Sequence, residues 1–244
     1  GIGVAETRHA GYTLNARYNR LINCSTKDVY QGIFSTGTAM KLVEIVNFTG
    51  INCQYGFTGA DYGETDFLHI DGFKIYNDSK LNGVALFLNG HNVHQWSIRN
   101  VDLYNIAAFI SLPALHANVY PEKLIVDNLS HRCVSDGGIT IQLYHPSLKQ
   151  IILNNFVQEN CNSIIYANAA ATSLKLFCIN NGLVLGSVGV KICEITSQLD
   201  LLRFSNLIFK DPATASTKLA LLVSGVTTFS LIRSEERRVG KECR

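Results

Sequence analysis

Three ionisable residues in the middle of the chain recur at one interval, because Asp71, Arg99 and Asp127 are each 28 residues apart. Two carboxylates on either side of a guanidinium group can do specific chemistry. One carboxyl group can act as a general acid while the other activates water, and the guanidinium can bind an acidic sugar. The same residues also fit a plain ladder of ion pairs on a solvated face, and such exposed pairs contribute little stability. Which interpretation applies depends on the fold that sets the interval.

The interval belongs to a repeat that runs along nearly the whole chain. Segments such as VEIVNFTG, QWSIRNVDLYN and LLRFSNLIF align on one turn residue. These turn residues follow one another at 24 to 28 residues, and they are Asn23, Asn47, Gly72, Asn100, Asn128, Asn155, Asn181 and Asn206. The residue two positions before the turn is apolar in all eight segments, and the residue four positions before it is apolar in seven. This alternation predicts a strand whose −4 and −2 side chains face a core.

The turn residues predict a corner after each strand. Asparagine tolerates left-handed backbone angles and glycine adopts them freely. A second apolar run, such as QGIFS or GITIQLY, follows each turn. We therefore predict an all-β fold, a right-handed single-stranded parallel β-helix of about eight coils of 24–28 residues, where a coil is one turn of the solenoid. We also expect the asparagine amides to form a hydrogen-bonded ladder, buried between the coils.

The repeated I-x-N pattern and the coil length resemble the right-handed parallel β-helix of the pectin-lyase-like superfamily, which includes bacteriophage tailspikes. The resemblance covers nearly the whole chain. It implies polysaccharide as the ligand and, for a tailspike, a homotrimer with sites on the outer face or between subunits. The paired aspartate motifs of the polygalacturonases are missing, so the resemblance concerns the fold more than the activity.

The −3 and −1 positions of each strand should point outward, and their ionisable residues fall in the middle coils. The candidate catalytic residues Asp71, Arg99 and Asp127 occupy the −1 position. Neighbouring coils lie about 4.8 Å apart, so the two aspartates should be roughly 9–10 Å from each other, at the upper end of the range for inverting glycosidases. Glu44, His69 and Ser97 at −3 are candidate ligand-binding residues. In a lyase, Arg99 or His69 would take the proton.

Metal sites have little support in the sequence. The loop TGADYGETDF (58–67) carries Asp61, Glu64 and Asp66, and carboxylates could hold calcium, but their spacing fits no calcium loop. We expect Asp61 and Glu64 to be ligand-binding residues in a polar loop. No cysteine pair has a zinc-binding spacing, although Cys133 and Cys161 should lie at similar places in adjacent coils and could stack as thiols. The sequence predicts no cofactor and no metal.

Composition and charge limit the partners. The 244 residues are 47% apolar and carry a net charge of +2, which the five basic and three acidic residues of 233–244 account for. The mild basicity therefore predicts no nucleic-acid partner, and no apolar run predicts a membrane span. RSEERRVGKECR (233–244) resembles the in-frame translation of a sequencing adapter. We expect residues 1–232 to be a single β-helix domain cut at both ends and 233–244 to be non-native.

Three functions remain open at this point. The first is a phage tailspike-like protein, in a virion tail or extracellular, that binds bacterial surface polysaccharide, with or without depolymerising it. The second is a secreted bacterial polysaccharide lyase or glycoside hydrolase of the same fold. The third is a non-catalytic β-helix adhesin or structural repeat protein. Whether the chain is an enzyme is left undecided by the sequence.

Overall fold

The computed structural model shows an all-β chain whose strands pair in parallel. The structure describes residues 10–59, 63–88, 90–112, 119–134, 138–144, 148–167, 174–186, 191–195, 199–210, 219–223 and 226–232. The adapter-like segment 233–244 and candidate residue Asp61 lie outside these ranges. These ranges contain no helix, and therefore no helix that is long and apolar enough to cross a bilayer.

Seventeen strands are formed by the described residues. They are β1 (Ala10–Leu14), β2 (Tyr18–Ile22), β3 (Ser25–Lys27), β4 (Gln31–Ser35), β5 (Met40–Ile51), β6 (Tyr55–Gly59), β7 (Glu64–Phe87), β8 (Asn92–Leu112), β9 (Lys123–Arg132), β10 (Ile139–Leu143), β11 (Gln150–Glu159), β12 (Ser163–Ala167), β13 (Leu174–Leu185), β14 (Lys191–Ile195), β15 (Leu199–Lys210), β16 (Leu219–Val223) and β17 (Val226–Ile232).

The strands stack in two long rows. One row runs β2, β5, β7, β8, β9, β11, β13, β15 and β17, and the short β3 that follows β2 also pairs with β5. The other runs β1, β4, β6, β7, β8, β10, β12, β14 and β16. β7 and β8 belong to both rows because each continues through both corners, from the first row into the second. Each strand thus pairs with its counterpart one coil away, which confirms the predicted parallel β-solenoid.

Two corners and three faces make up one coil. All eight predicted turn residues lie at the first corner in the left-handed region, with φ of 52 to 70°. A second corner follows five residues later, where Asp28, Asn52, Asn105, Asn160 and Gly186 also have positive φ. We call the strand before the first corner face A, the four residues between the corners face B, and the strand after the second corner face C. In one coil these are residues 40–46, 48–51 and 55–59.

The core lies inside these three faces and is built of columns of like side chains. On face A the −2 position is buried from Ile45 to Phe204, as its apolar character predicts. On face B the residue after the first corner is buried too, and Phe48 stacks on Phe73 with ring centroids 5.3 Å apart. A coil exposes its apolar columns until the next coil covers them, so stacking supplies the hydrophobic stabilisation.

The amide ladder forms, but on the surface. Asn47 Nδ2 donates to Asn23 Oδ1 at 3.0 Å, Asn128 to Asn100 at 2.9 Å, and Asn206 to Asn181 at 3.0 Å. All three bonds are solvent-exposed, so the expectation of burial between coils was wrong. The side chain of a left-handed corner residue projects away from the core, because the chain bends around it.

The number of coils was overestimated. The solenoid has about six turns, against about eight predicted.

Candidate functional site

Face A carries the predicted site residues on its outer side. In register, Glu44 lies beside His69, and His69 lies beside Ser97. Two positions further along the same strands, Asp71 lies beside Arg99, and Arg99 beside Asp127. The −3 and −1 positions alternate with the core positions. Parallel pairing therefore places residues that are 25 or 28 apart in sequence beside one another on adjacent strands.

Asp71 is held by two donors from the next coil. Arg99 Nε donates to Asp71 Oδ2 at 2.9 Å, and Asn100 Nδ2 donates to Asp71 Oδ1 at 2.7 Å. Partial burial acts to raise the pKa of Asp71, but these hydrogen bonds and the charge of Arg99 outweigh it, so the pKa lies below the usual value. Asp71 is therefore an ionised hydrogen-bond acceptor at neutral pH, which suits a base or an anchor for Arg99 better than a general acid.

Asp127 belongs to a different chain of contacts. Its Oδ1 accepts a hydrogen bond from Asn154 Nδ2 at 2.6 Å, and Asn154 Oδ1 accepts one from Asn180 Nδ2 at 2.9 Å. Among the described residues no ion pair within 4.0 Å joins Arg99 to Asp127. The Asp–Arg–Asp ladder is thus half formed. The −1 column holds one ion pair, between Asp71 and Arg99. Beside it is a ladder of amide hydrogen bonds that runs from Asp127 to Asn180.

The −3 column places its candidates beside one another without joining them in one network. Glu44 forms an ion pair with Arg20 of the preceding coil. The His69 ring lies parallel to Phe67 on the same strand, with centroids 6.4 Å apart. Ser97 is half-buried and completes the row. Together with the −1 column these residues form a polar surface, which we call the polar face: Glu44, His69, Asp71, Ser97, Arg99 and Asp127.

The predicted loop residue Glu64 belongs to a mixed charge cluster near the start of β7. His94 Nε2 lies 2.7 Å from Glu64 Oε1, and Lys41 Nζ donates to Asp66 Oδ2 at 2.5 Å. The hydrogen bond from Lys41 lowers the pKa of the Asp66 carboxyl. Although Glu64, Asp66 and His94 are close enough to share a cation, Lys41 already supplies positive charge there, so the geometry favours an exposed ion-pair cluster.

Sequence reasoning missed a row of aromatic side chains on face C and next to its start. Tyr55 lies between Tyr30 and Phe87, with ring centroids 5.3 Å away on either side. All three rings are half-buried. Apolar ring faces of this kind can pack against a sugar ring. Matching the coils position by position would not have revealed the row, because Tyr55 is in register with Gln31 and Val84 and not with Tyr30 or Phe87.

A second missed group lies on the outer side of face B. Tyr76 Oη donates to Asp102 Oδ2 at 2.6 Å, and Arg132 Nη2 donates to Asp102 Oδ1 at 3.0 Å. Partial burial and the hydrogen bond to Asp102 raise the pKa of Tyr76 to about 12. These three residues come from three successive coils, so the group fixes the coils to one another and keeps Tyr76 protonated.

A buried polar group lies inside the solenoid, in the adjacent coils that contain β9 and β11. His131 occupies an inward position that holds Leu103 one coil earlier, and it is fully buried. Its Nδ1 lies 2.9 Å from Thr140 Oγ1 and its Nε2 lies 2.9 Å from the Ile106 carbonyl oxygen. Gln158 Nε2 donates to the same Thr140 oxygen at 3.0 Å. These polar side chains can be buried in the core because each of them has a hydrogen-bond partner.

Two cysteines adjoin this group, stacked as their equivalent positions predicted. Cys161 Sγ lies 3.7 Å from Cys133 Sγ, and Cys133 Sγ lies 3.9 Å from His131 Nε2. The hydrogen bond from Cys161 lowers the pKa of Cys133, and the same bond together with burial raises the pKa of Cys161. The six cysteines of the described residues are thiols and not disulfides.

Comparison of the chain with family models, with curated proteins and with solved structures found no match. The chain is a parallel β-solenoid on the evidence of its own strand pairing, and its function has to be argued from its surfaces.

Proposed function

We propose that the chain is a polysaccharide-binding β-solenoid of the tailspike kind, which recognises a bacterial surface glycan along face A. One observation carries the proposal. The polar face presents carboxylate, guanidinium, imidazole and hydroxyl groups in two straight columns on adjacent, rigidly paired strands. Such a surface offers donors and acceptors at the repeat of one strand, about 4.8 Å, and an extended glycan has hydroxyl and carboxylate groups along its length.

Arg99 is the group to test first. Its side chain is 53% exposed although it forms an ion pair with Asp71, so it can also donate to a ligand. Hydrogen bonds to charged groups contribute about 1.5–3 kcal/mol, so we expect Arg99→Ala to weaken binding of an acidic surface polysaccharide by about tenfold or more. Binding would be measured by co-sedimentation with bacterial cells and by a glycan array.

Arg203→Ala is the matched control, since Arg203 is an exposed arginine on the same face in a distant coil. It should bind as the wild type does. If Arg99→Ala binds normally while Tyr55→Ala loses binding, the aromatic row is the glycan site and the assignment to the polar face is wrong. If no polysaccharide is bound by the wild type, the proposed function fails.

Cleavage of the glycan is the second candidate function, and a separate observation supports it. Asp71 and Asp127 lie on the two strands that flank Arg99, which puts them about 9–10 Å apart across one strand. An inverting hydrolysis needs two carboxyl groups near this separation. Loss of shortened glycan products in both Asp71→Asn and Asp127→Asn, with binding retained, would support catalysis. Unchanged product release from both variants would exclude it.

The assembly belongs to the same proposal. A tailspike-like chain should form a homotrimer, whereas a secreted lyase or hydrolase of this fold would act as a monomer. Sedimentation equilibrium on the purified chain distinguishes the two, and a monomer that releases unsaturated sugars would favour the lyase.

A further inference from the structure

We propose that His131, Cys133 and Cys161 form a binding site for one thiophilic metal ion of the zinc class, inside the solenoid between two adjacent coils. The site lies on the inward side of the second corner, away from the polar face. It is independent of the glycan-binding proposal, because none of its residues reaches the outer surface of face A.

The first support is the chemical character of the three ligands. Two thiols and one imidazole are the donors that zinc and copper(I) prefer, whereas calcium and magnesium prefer oxygen. His131, Cys133 and Cys161 are at most 2% exposed. His131 and Gln158, in register on adjacent strands, interrupt a column that holds the buried residues Ile75, Leu103 and Val184 in other coils.

The second support is the geometry. Zinc bonds of about 2.3 Å to sulfur and 2.0–2.1 Å to nitrogen at a tetrahedral angle place two sulfurs about 3.8 Å apart and nitrogen about 3.6 Å from sulfur. The two sulfurs lie 3.7 Å apart, and Cys133 Sγ lies 3.9 Å from His131 Nε2. The three ligand atoms all lie within 4.8 Å of one another. Only small side-chain adjustments would bring them onto one ion.

The third support is the contact of the opposite ring nitrogen. A metal-bound histidine normally donates its other N–H to a fixed acceptor, which holds the ring in place. Thr140 Oγ1 lies 2.9 Å from His131 Nδ1 and is itself held by Gln158. In the metal-bound form Nδ1–H donates to Thr140 and Nε2 binds the ion. Without metal, Nε2–H donates to the Ile106 carbonyl instead, so binding requires a change of tautomer.

The metal would join successive coils. His131 and Cys133 come from β9 and the corner that follows it, whereas Cys161 follows β11 in the next coil. Because the ligands are deep in the folded chain, the ion would enter as the coils close, and metal binding would stabilise the folded state. Sequence reasoning found no site here because the two cysteines are 28 residues apart and share no local motif.

The test uses the full chain, unfolded in a reducing and chelating buffer and refolded with one equivalent of Co²⁺ and then of Zn²⁺. We expect sulfur-to-cobalt charge-transfer absorption in the near ultraviolet, its loss on zinc addition, one bound zinc by native mass spectrometry, and a raised Tm. Cys133→Ser, Cys161→Ser and His131→Gln should lose stoichiometric binding. Thr140→Val should weaken zinc affinity by about 10–100-fold, as loss of an outer hydrogen bond does.

Cys53→Ser is the matched control, since Cys53 is a buried thiol just after the second corner of another coil and contacts Thr26 instead of a histidine. It should bind metal as the wild type does. The proposal is overturned if the refolded wild type shows no sulfur-to-cobalt absorption and no bound zinc, a result that does not depend on any variant folding. It is also overturned if Cys133→Ser and Cys161→Ser bind zinc as tightly as Cys53→Ser.

Discussion

Asp71 shows how a single side chain on this fold acquires its properties from the next coil. Its two donors, Arg99 and Asn100, are consecutive residues one coil further on, and one of them belongs to the turn row. Gly72 has no side chain to continue the amide ladder, so Asn100 donates to Asp71 instead. The carboxylate thus fills a gap in the ladder and anchors Arg99 in the polar face.

The pH dependence of stability should report this contact. Because the folded-state pKa of Asp71 lies below the unfolded value of about 3.9, its ionised form stabilises the protein above that pH, and the contribution is lost as the pH falls through the folded value. We expect Asp71→Asn to lower the free energy of unfolding at pH 7 by about 0.2–1 kcal/mol, the range of exposed ion pairs. Urea unfolding of both proteins between pH 2 and 7 measures it.

A double-mutant cycle separates the ion pair from other effects of this substitution. Adding Arg99→Gln to Asp71→Asn should cost less than the two single changes together, because the first change has already removed the shared contact. An Asp71→Asn variant that matches the wild type at pH 7 would contradict the assigned contact.

At the scale of the elements, the turn residues show what the sequence could predict. The eight asparagine or glycine positions of the first corner, the apolar columns before and after them and the outward position of Asp71, Arg99 and Asp127 follow from periodicity alone, because side chains alternate strictly along a strand. The second corner was missed, although Asn52, Asn105 and Asn160 stand five residues after the first. The partner of Asp127 could not be predicted, because carboxylate rotamers decide between Arg99 and Asn154.

The backbone of the first corner makes a specific demand on residue type. Asn128 has φ of 58°, where alanine is strained by roughly 1–2 kcal/mol and glycine is not. We expect Asn128→Ala to destabilise the chain about 1 kcal/mol more than Asn128→Gly, measured by urea unfolding. At Ser130 on the same strand the order should reverse, since glycine within a strand is worse than alanine. The same order at both positions would argue against a left-handed corner at Asn128.

At the scale of the whole molecule, stability should vary along the solenoid axis. Each described coil contacts its immediate neighbours, and β1 and β2 each pair with one strand only among the described residues, while β8 and β11 pair on both sides. Solenoids behave as nearly one-dimensional arrays of coupled repeats.

Amide hydrogen exchange should therefore be slowest in β8, β9 and β11 and fastest in β1 and β2, because an end coil can open without breaking two interfaces. Exchange followed by mass spectrometry of peptides resolves the coils. Equal protection from β1 to β15, with all coils exchanging in one step, would show instead that the solenoid unfolds as a single cooperative unit.

The regular interval between corners also has a genetic consequence. A crossover between two copies of the repeat at their corner asparagines would add or remove one whole coil of 24 to 28 residues. Every remaining column would keep its direction, since the exchange joins two strands at the same position of the coil. Recombination at the corners would thus change the length of the molecule, and lengthen or shorten the polar face, one strand at a time.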